Sequence, residues 1–190
     1  MKNALMICIS MLLFLSACAA PTVDLPEQLV NPRIVAEDTY YRLYQDENQI
    51  YFYAIFDKDG NIAKSELFPR EPHIEVHDNT LISISMQAGT GIESRWTYYY
   101  DVAEDAFSDV FYTVFGQEGG RIVYSDGMSI IVRDIFSETV FTRTFDRFDG
   151  IAQDVASPFV NAEFIENGQK IRVTYLNEHL DAVTVDFELK

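Results

Sequence analysis

Cysteine is almost absent from this sequence. The 190 residues include only two cysteines, Cys8 and Cys18, and both lie near the N-terminus. Beyond residue 18 the chain therefore has no disulfide, no thiolate metal ligand and no cysteine nucleophile. Because residues 19–190 can form neither disulfide bonds nor thiolate metal sites, we expect their stability to come from a hydrophobic core.

Positive charge is also scarce, since 14 Lys and Arg oppose 30 Asp and Glu and the formal net charge is −16. A protein that binds nucleic acid needs clustered basic residues to neutralise phosphates, so we predict no nucleic-acid partner. The sequence contains neither a Gly-x-Ser-x-Gly nucleophile elbow nor a glycine-rich phosphate loop, and we predict no cofactor. Close carboxylate pairs arise by chance in so acidic a chain and do not identify a hydrolase.

Apolar residues, in contrast, are plentiful and alternate along the chain. They make up 48% of the sequence, which is enough for the core of one domain. In the segment 182–189 every second residue is apolar, which is typical of a half-buried strand, and the segments 170–175 and 81–86 alternate in the same way. No segment beyond the first 17 residues has ten or more residues of helical spacing. We therefore predict an all-β fold.

Turns that contain Asp or Asn recur along the chain. Their markers, separated by 32, 48 and 41 residues, are Asp46, Asp78, Asp126 and Asn167. Such residues tolerate positive φ and close tight hairpins. The pattern predicts an antiparallel meander of about four hairpin-rich repeats, which is propeller-like because the spacing is close to that of propeller blades. A two-sheet β-sandwich uses the same features and is the alternative.

The N-terminus has the pattern of a secretory signal, in which Lys2 precedes an uncharged apolar run that is too short to span a bilayer comfortably. The run ends in Leu15-Ser16-Ala17-Cys18, which resembles a bacterial lipobox at all four positions. This resemblance implies cleavage before Cys18 and acylation of Cys18 by fatty acids such as palmitate. The alternatives are an uncleaved anchor helix and ordinary signal cleavage after Ala19.

This interpretation divides the chain into three parts. Residues 1–17 would be the lipoprotein signal peptide, residues 18–38 a lipidated N-terminus with a flexible proline-containing tether, and residues 39–190 a single all-β domain. The protein would be extracytoplasmic and held to the lipid bilayer of the cell membrane through acylated Cys18, or to the outer membrane in a diderm host. The stretch from Tyr98 to Leu189 also resembles uncharacterised propeller-like bacterial lipoproteins.

One candidate ligand-binding segment is aromatic. On a strand, Trp96, Tyr98 and Tyr100 share one face, whereas Tyr99 points to the other. Aromatic faces of this kind stack on sugars, so the segment is a candidate glycan platform. Aromatic side chains also supply much of the buried area of any core, so we expect the face of Trp96, Tyr98 and Tyr100 to pack in the core, and the glycan platform is the alternative.

The candidate metal ligands are His73, Glu75 and His77, which also share one face of a strand. Zinc accepts such ligands. At about 3.3 Å per residue, however, the two histidines are separated by about 13 Å, which is too far for one ion on a flat strand. We therefore expect these residues to form the polar face of an edge strand, with no metal bound.

Together these features favour a non-enzymatic binding or interaction module for an envelope protein or a glycan, which would use loops at one end of its sheets. Two alternatives stay open. One is an accessory cell-envelope hydrolase that uses carboxylates, and the other is a passive structural spacer.

Overall fold

Sixteen β-strands make up the regular structure of the residues that the structure describes. The computed structural model describes residues 21–87, 89, 95–155 and 157–190, and no helix occurs in these ranges. All strand pairs in these ranges are antiparallel, and within each sheet neighbouring strands follow one another in sequence, apart from one short strand that pairs two positions back. The predicted all-β meander is confirmed.

The strands form four sheets, each built from one continuous part of the chain. The first sheet consists of β1 (Arg33–Glu37), β2 (Tyr41–Gln45), β3 (Tyr51–Phe56) and β4 (Ile62–Phe68). The second consists of β5 (His73–His77), β6 (Leu81–Gln87), β7 (Arg95–Asp101) and β8 (Ala106–Phe107), with β9 (Phe111–Tyr112) also paired to β7.

The third sheet consists of β10 (Val114–Glu118), β11 (Arg121–Ser125), β12 (Ile130–Asp134) and β13 (Thr142–Phe145), and the fourth of β14 (Phe159–Ile165), β15 (Lys170–Leu176) and β16 (Ala182–Glu188). Four consecutive meanders make the fold propeller-like, and the alternative of a two-sheet sandwich is wrong because the strands divide into four sheets.

Each turn marker of the sequence lies in a hairpin of a different sheet. Asp46 and Asp126 connect the second and third strands of the first and third sheets, whereas Asp78 and Asn167 connect the first and second strands of the second and fourth. Positive φ occurs where the turn chemistry requires it, at 47° for Asp78 and 54° for Asn167. The unequal spacing of the markers arises because they do not occupy the same hairpin in every sheet.

Three hydrophobic clusters join the sheets in chain order. One lies between the first and second sheets, and Tyr53 and Ile82 are among its residues. The next lies between the second and third sheets and includes Tyr99 and Ile122. The last lies between the third and fourth sheets and includes Val132 and Ile171. Within the described residues no such cluster joins the first sheet to the fourth.

In the described part of the chain, the first and fourth sheets each have an outer face that does not pack against another sheet, and these two faces differ in what covers them. On the outer face of the fourth sheet polar side chains pair across the strands, with Arg172 Nε donating to Asp186 Oδ1 over 2.9 Å. On the outer face of the first sheet a fourth cluster contains Phe52 and Phe56, and Leu29 and Val23 pack against them from the preceding segment. We call residues 21–31 the N-terminal strap.

The structure corrects the boundary predicted between tether and domain. Residues 33–37 form the first strand, and Leu29 is buried, so the folded domain begins well before residue 39. The Arg42 side chain also donates a hydrogen bond of 3.1 Å to the carbonyl oxygen of Pro21. Proline is tolerated here because the strap is not a strand and Pro32 only precedes the edge strand β1. The predicted signal peptide and Cys18 lie outside the described residues.

Asp46 joins the strap to the first sheet. Desolvation would raise its pKa, but hydrogen bonds from the backbone N–H groups of Ile50, Val30 and Asn48 outweigh this and hold the pKa below its ordinary value. A carboxyl whose pKa is lowered by folding adds stability above its unfolded pKa, and this contribution is lost as pH falls through the folded pKa.

We therefore expect Asp46→Asn to be less stable than the wild type at pH 7. The difference in unfolding free energy between the two proteins should shrink as the pH falls below 3.8, the ordinary pKa of the Asp46 carboxyl. Urea unfolding of both proteins between pH 7 and pH 2.5 measures this. A constant difference in unfolding free energy across that range would contradict the role given to the Asp46 carboxylate.

Candidate functional site

The aromatic segment named as a candidate glycan platform is mostly core. The exposed fractions of Tyr98, Tyr99 and Tyr100 are 3%, 2% and 0%. Tyr98 and Tyr100 belong to the cluster between the first and second sheets, and Tyr99 to the one between the second and third. Trp96 is half-buried and packs edge-on against Phe68. A surface platform of Trp96, Tyr98, Tyr99 and Tyr100 is therefore wrong, because both faces of β7 are covered by neighbouring sheets.

His73, Glu75 and His77 do share one face of the edge strand β5. Glu75 Oε2 lies 3.7 Å from His73 Nε2 and 3.9 Å from His77 Nε2, and His77 Nε2 lies 2.9 Å from Ser83 Oγ. No group of three His, Cys, Asp or Glu side chains in the described ranges has the geometry to hold a metal ion. The absence of a bound metal stays a prediction.

A different site lies between the second and third sheets. A pocket of about 650 Å³ opens between β9 and the strands β11 and β12. Its lining includes the aromatic residues Phe111, Tyr112 and Tyr124 and the charged residues Asp109, Asp126, Arg133 and Glu138. We call this space the Arg133 pocket.

Arg133 forms the inner wall of the pocket. Arg133 on β12 pairs with Ile122 on β11, so the two side chains lie on the same face of the third sheet. Ile122 packs against the second sheet, and this is therefore the face on which Arg133 lies. It is only 4% exposed, and its guanidinium carbon lies 5.2 Å from the centre of the Phe111 ring. Its Nε donates to the carbonyl oxygen of Asp134 over 3.0 Å. The guanidinium is thus fixed by packing and by the backbone.

Two carboxylates converge on this guanidinium from different sheets. Asp109, in the loop between β8 and β9, accepts a hydrogen bond of 3.0 Å from Arg133 Nη2. Glu138, in the loop between β12 and β13, accepts one of 2.6 Å from Nη1. Their side chains are 69% and 71% exposed. Arg133 therefore holds two solvent-facing carboxylates at the pocket, one from each neighbouring sheet.

Tyr124 adds a phenol to the same wall. Burial raises its pKa, Arg133 opposes that rise, and Glu138 adds to it. The net pKa is raised, so the phenol is neutral at physiological pH and can donate a hydrogen bond. Tyr112, across the pocket on β9, is exposed. The pocket therefore combines aromatic surface with carboxylates and one buried cation.

One signal for this site was present in the sequence. Residues 130–135 are apolar except for Arg133 and Asp134, and alternation places Arg133 on one face with Ile131 and Ile135. A charged residue in such a register requires partners. The sequence does not indicate which partners these are, because Asp109 is 24 residues away in a loop of another sheet.

No protein-family model matches this chain, and no curated protein is significantly similar to it. Among solved structures, it is similar to the C-terminal WD40 domain of Sif2, with 11% sequence identity and a TM-score of 0.39. The match covers 85% of this chain and 49% of that chain, so this chain spans about half the length of that structure. The likeness carries no argument about function.

Proposed function

We propose that this chain is an extracytoplasmic lipoprotein, anchored through acylated Cys18, whose β domain is a non-enzymatic binding module. The observation that supports the binding role is the Arg133 pocket, where a buried arginine fixes two exposed carboxylates beside aromatic side chains. A concave site that places fixed polar groups beside aromatic surface is suited to binding a ligand. Its partner would be a component of the cell envelope.

The alternative of a carboxylate hydrolase has less support from the geometry of the pocket. A glycoside hydrolase keeps one carboxyl protonated in an apolar setting so that it can act as general acid. Asp109 and Glu138 are instead both largely exposed, and both accept hydrogen bonds from the same guanidinium. This arrangement suits recognition better than proton transfer. A passive spacer, in turn, has no need for a buried cation that positions two carboxylates.

Lipidation of Cys18 would also place the β domain close to the bilayer. Cys18 precedes Pro21 by three residues, which span at most about 11 Å even when fully extended. Pro21 already contacts the first sheet through Arg42. If Cys18 carries the lipid, the first sheet lies close to the bilayer surface, and the body does not stand away from it on a long tether. The described ranges contain no helix that could span a bilayer.

The anchor is tested by replacing Cys18. We expect Cys18→Ser to abolish incorporation of labelled palmitate and to release the protein from the membrane fraction, because the thiol that carries the lipid is gone. Cys8→Ser is the matched control and should change neither result, since Cys8 lies in the predicted signal peptide. Labelling that persists in Cys18→Ser would contradict lipidation at this residue.

A further inference from the structure

We propose that the Arg133 pocket binds a cationic group, an ammonium or a guanidinium, that is carried on an apolar stem. This inference rests on the binding role proposed above, because it names the ligand chemistry of the same pocket. Its basis is the balance of charge at the pocket, the oxygen atoms that Arg133 leaves available and the aromatic surface beside them.

The charges that line the pocket favour a cation. Asp109, Asp126 and Glu138 oppose one guanidinium, that of Arg133. Three carboxylates around a single cation leave the pocket negative, so an anionic ligand would be repelled unless it displaced both carboxylates from Arg133. The net charge of −16 acts in the same direction, because the field of the whole protein raises the local concentration of cations.

Arg133 binds only one of the two oxygen atoms of each carboxylate. It donates to Asp109 Oδ2 and to Glu138 Oε1. Within the described ranges Asp109 Oδ1 and Glu138 Oε2 accept no hydrogen bond, and both side chains are largely exposed. Arg133 is thus a positioning residue that holds two acceptor oxygens in place. A hydrogen bond from a charged donor to such an oxygen is stronger than one between neutral groups.

The aromatic residues suit the rest of such a ligand. Exposed Tyr112 and half-buried Tyr124 present rings at the pocket, and exposed Val110 adds an aliphatic surface beside them. A cation gains energy over the face of an aromatic ring, and an alkyl stem gains energy by leaving water. The volume of about 650 Å³ exceeds what a single inorganic ion needs and fits an organic group.

Such a group can belong to a free polyamine or to a Lys or Arg side chain of a partner protein. Isothermal titration of the full-length chain in mild detergent distinguishes these sources. The probes are spermidine, the blocked peptides Ala-Lys-Ala and Ala-Arg-Ala, the same lysine peptide acetylated on its side chain, and succinate. We expect saturable binding of at least one cationic probe and none of acetylated peptide or succinate.

The matched variants remove equal charge at two places. Asp109→Asn with Glu138→Gln should weaken the binding of the cationic probe at least about tenfold, because each lost charged hydrogen bond is worth about that factor or more. Glu163→Gln with Glu178→Gln, on exposed parts of the fourth repeat, should leave the affinity unchanged. Equal loss in both double variants would overturn the assignment to this pocket, as would saturable binding of succinate or no saturable cation binding. Palmitate labelling of Cys18 is independent of each of these results.

Discussion

Deletion of residues 21–31 should lower the free energy of unfolding by about 4 kcal/mol, although these residues contain no strand. The loss arises because Leu29 and Val23 cover Phe52 and Phe56 on the outer face of the first sheet. Deletion also removes the Val30 N–H group that donates to Asp46. Since whole domains are stable by about 5 to 15 kcal/mol, this loss is a large part of the total and should lower the melting temperature by many degrees.

Thermal and urea unfolding of the full chain in mild detergent measure this effect. Leu29→Ala is the graded version and should cost about 2 to 3 kcal/mol, because it leaves a cavity but keeps the strap in place. A ten-residue Gly-Ser insertion between Ala19 and Ala20 is the control and should not change the stability. If the deletion were as stable as the insertion, the strap would be the flexible tether that the sequence predicts.

The strap shows why a boundary drawn from composition was wrong. Three prolines and several acidic residues between positions 19 and 38 are typical of a solvated linker. What decides the matter is the first sheet, whose strand β3 is apolar on both faces and needs a cover on each. The second sheet covers one face, and among the described residues the strap covers the other. The sequence of the strap does not contain that information.

The alternation of apolar and polar residues predicted the burial pattern of β16, in the fourth sheet, better than that of β7, in the second. In β16 every second residue is half-buried and the others are exposed, as the pattern of residues 182–189 predicts. Strand β7 lies in the second sheet, which has neighbours on both sides, so Tyr98 and Tyr99 are both buried although they point to opposite faces. Its nearly continuous aromatic run is what such a strand requires. The sequence alone does not show that β7 lies between two other sheets and β16 at the end of the series.

The Arg133 pocket could be predicted only in part, for a related reason. A single arginine among apolar residues indicates a buried charge, and this much is visible in β12. The carboxylates that compensate it come from loops after β8 and β12, and only the packing of the second sheet on the third brings them together. Loops of different sheets have no fixed register with one another, so spacing along the chain does not predict their contact.

A large loss of stability is also expected when the packing between the second and third sheets is disturbed. Ile122→Ala should lower the free energy of unfolding by about 3 kcal/mol, because the side chain is fully buried in the cluster with Tyr99, Phe111 and Ile135. Phe111 and Ile135 belong to the segments that carry Asp109 and Glu138, so relaxation around the cavity also loosens the two carboxylates. We expect the affinity for the cationic probe to fall together with the stability.

Thr184→Ala is the control for this variant, since Thr184 pairs with Thr174 on the exposed outer face of the fourth sheet and should change the stability by less than about 0.5 kcal/mol. Urea unfolding followed by both tryptophan fluorescence and circular dichroism is the measurement. Trp96 lies in the second sheet, whereas circular dichroism reports on all strands. Because consecutive sheets share clusters, both signals should move to lower urea by the same amount in Ile122→Ala. A shift of the fluorescence alone would mean that the second sheet unfolds independently of the third, and a pocket built between them could not hold its carboxylates in place.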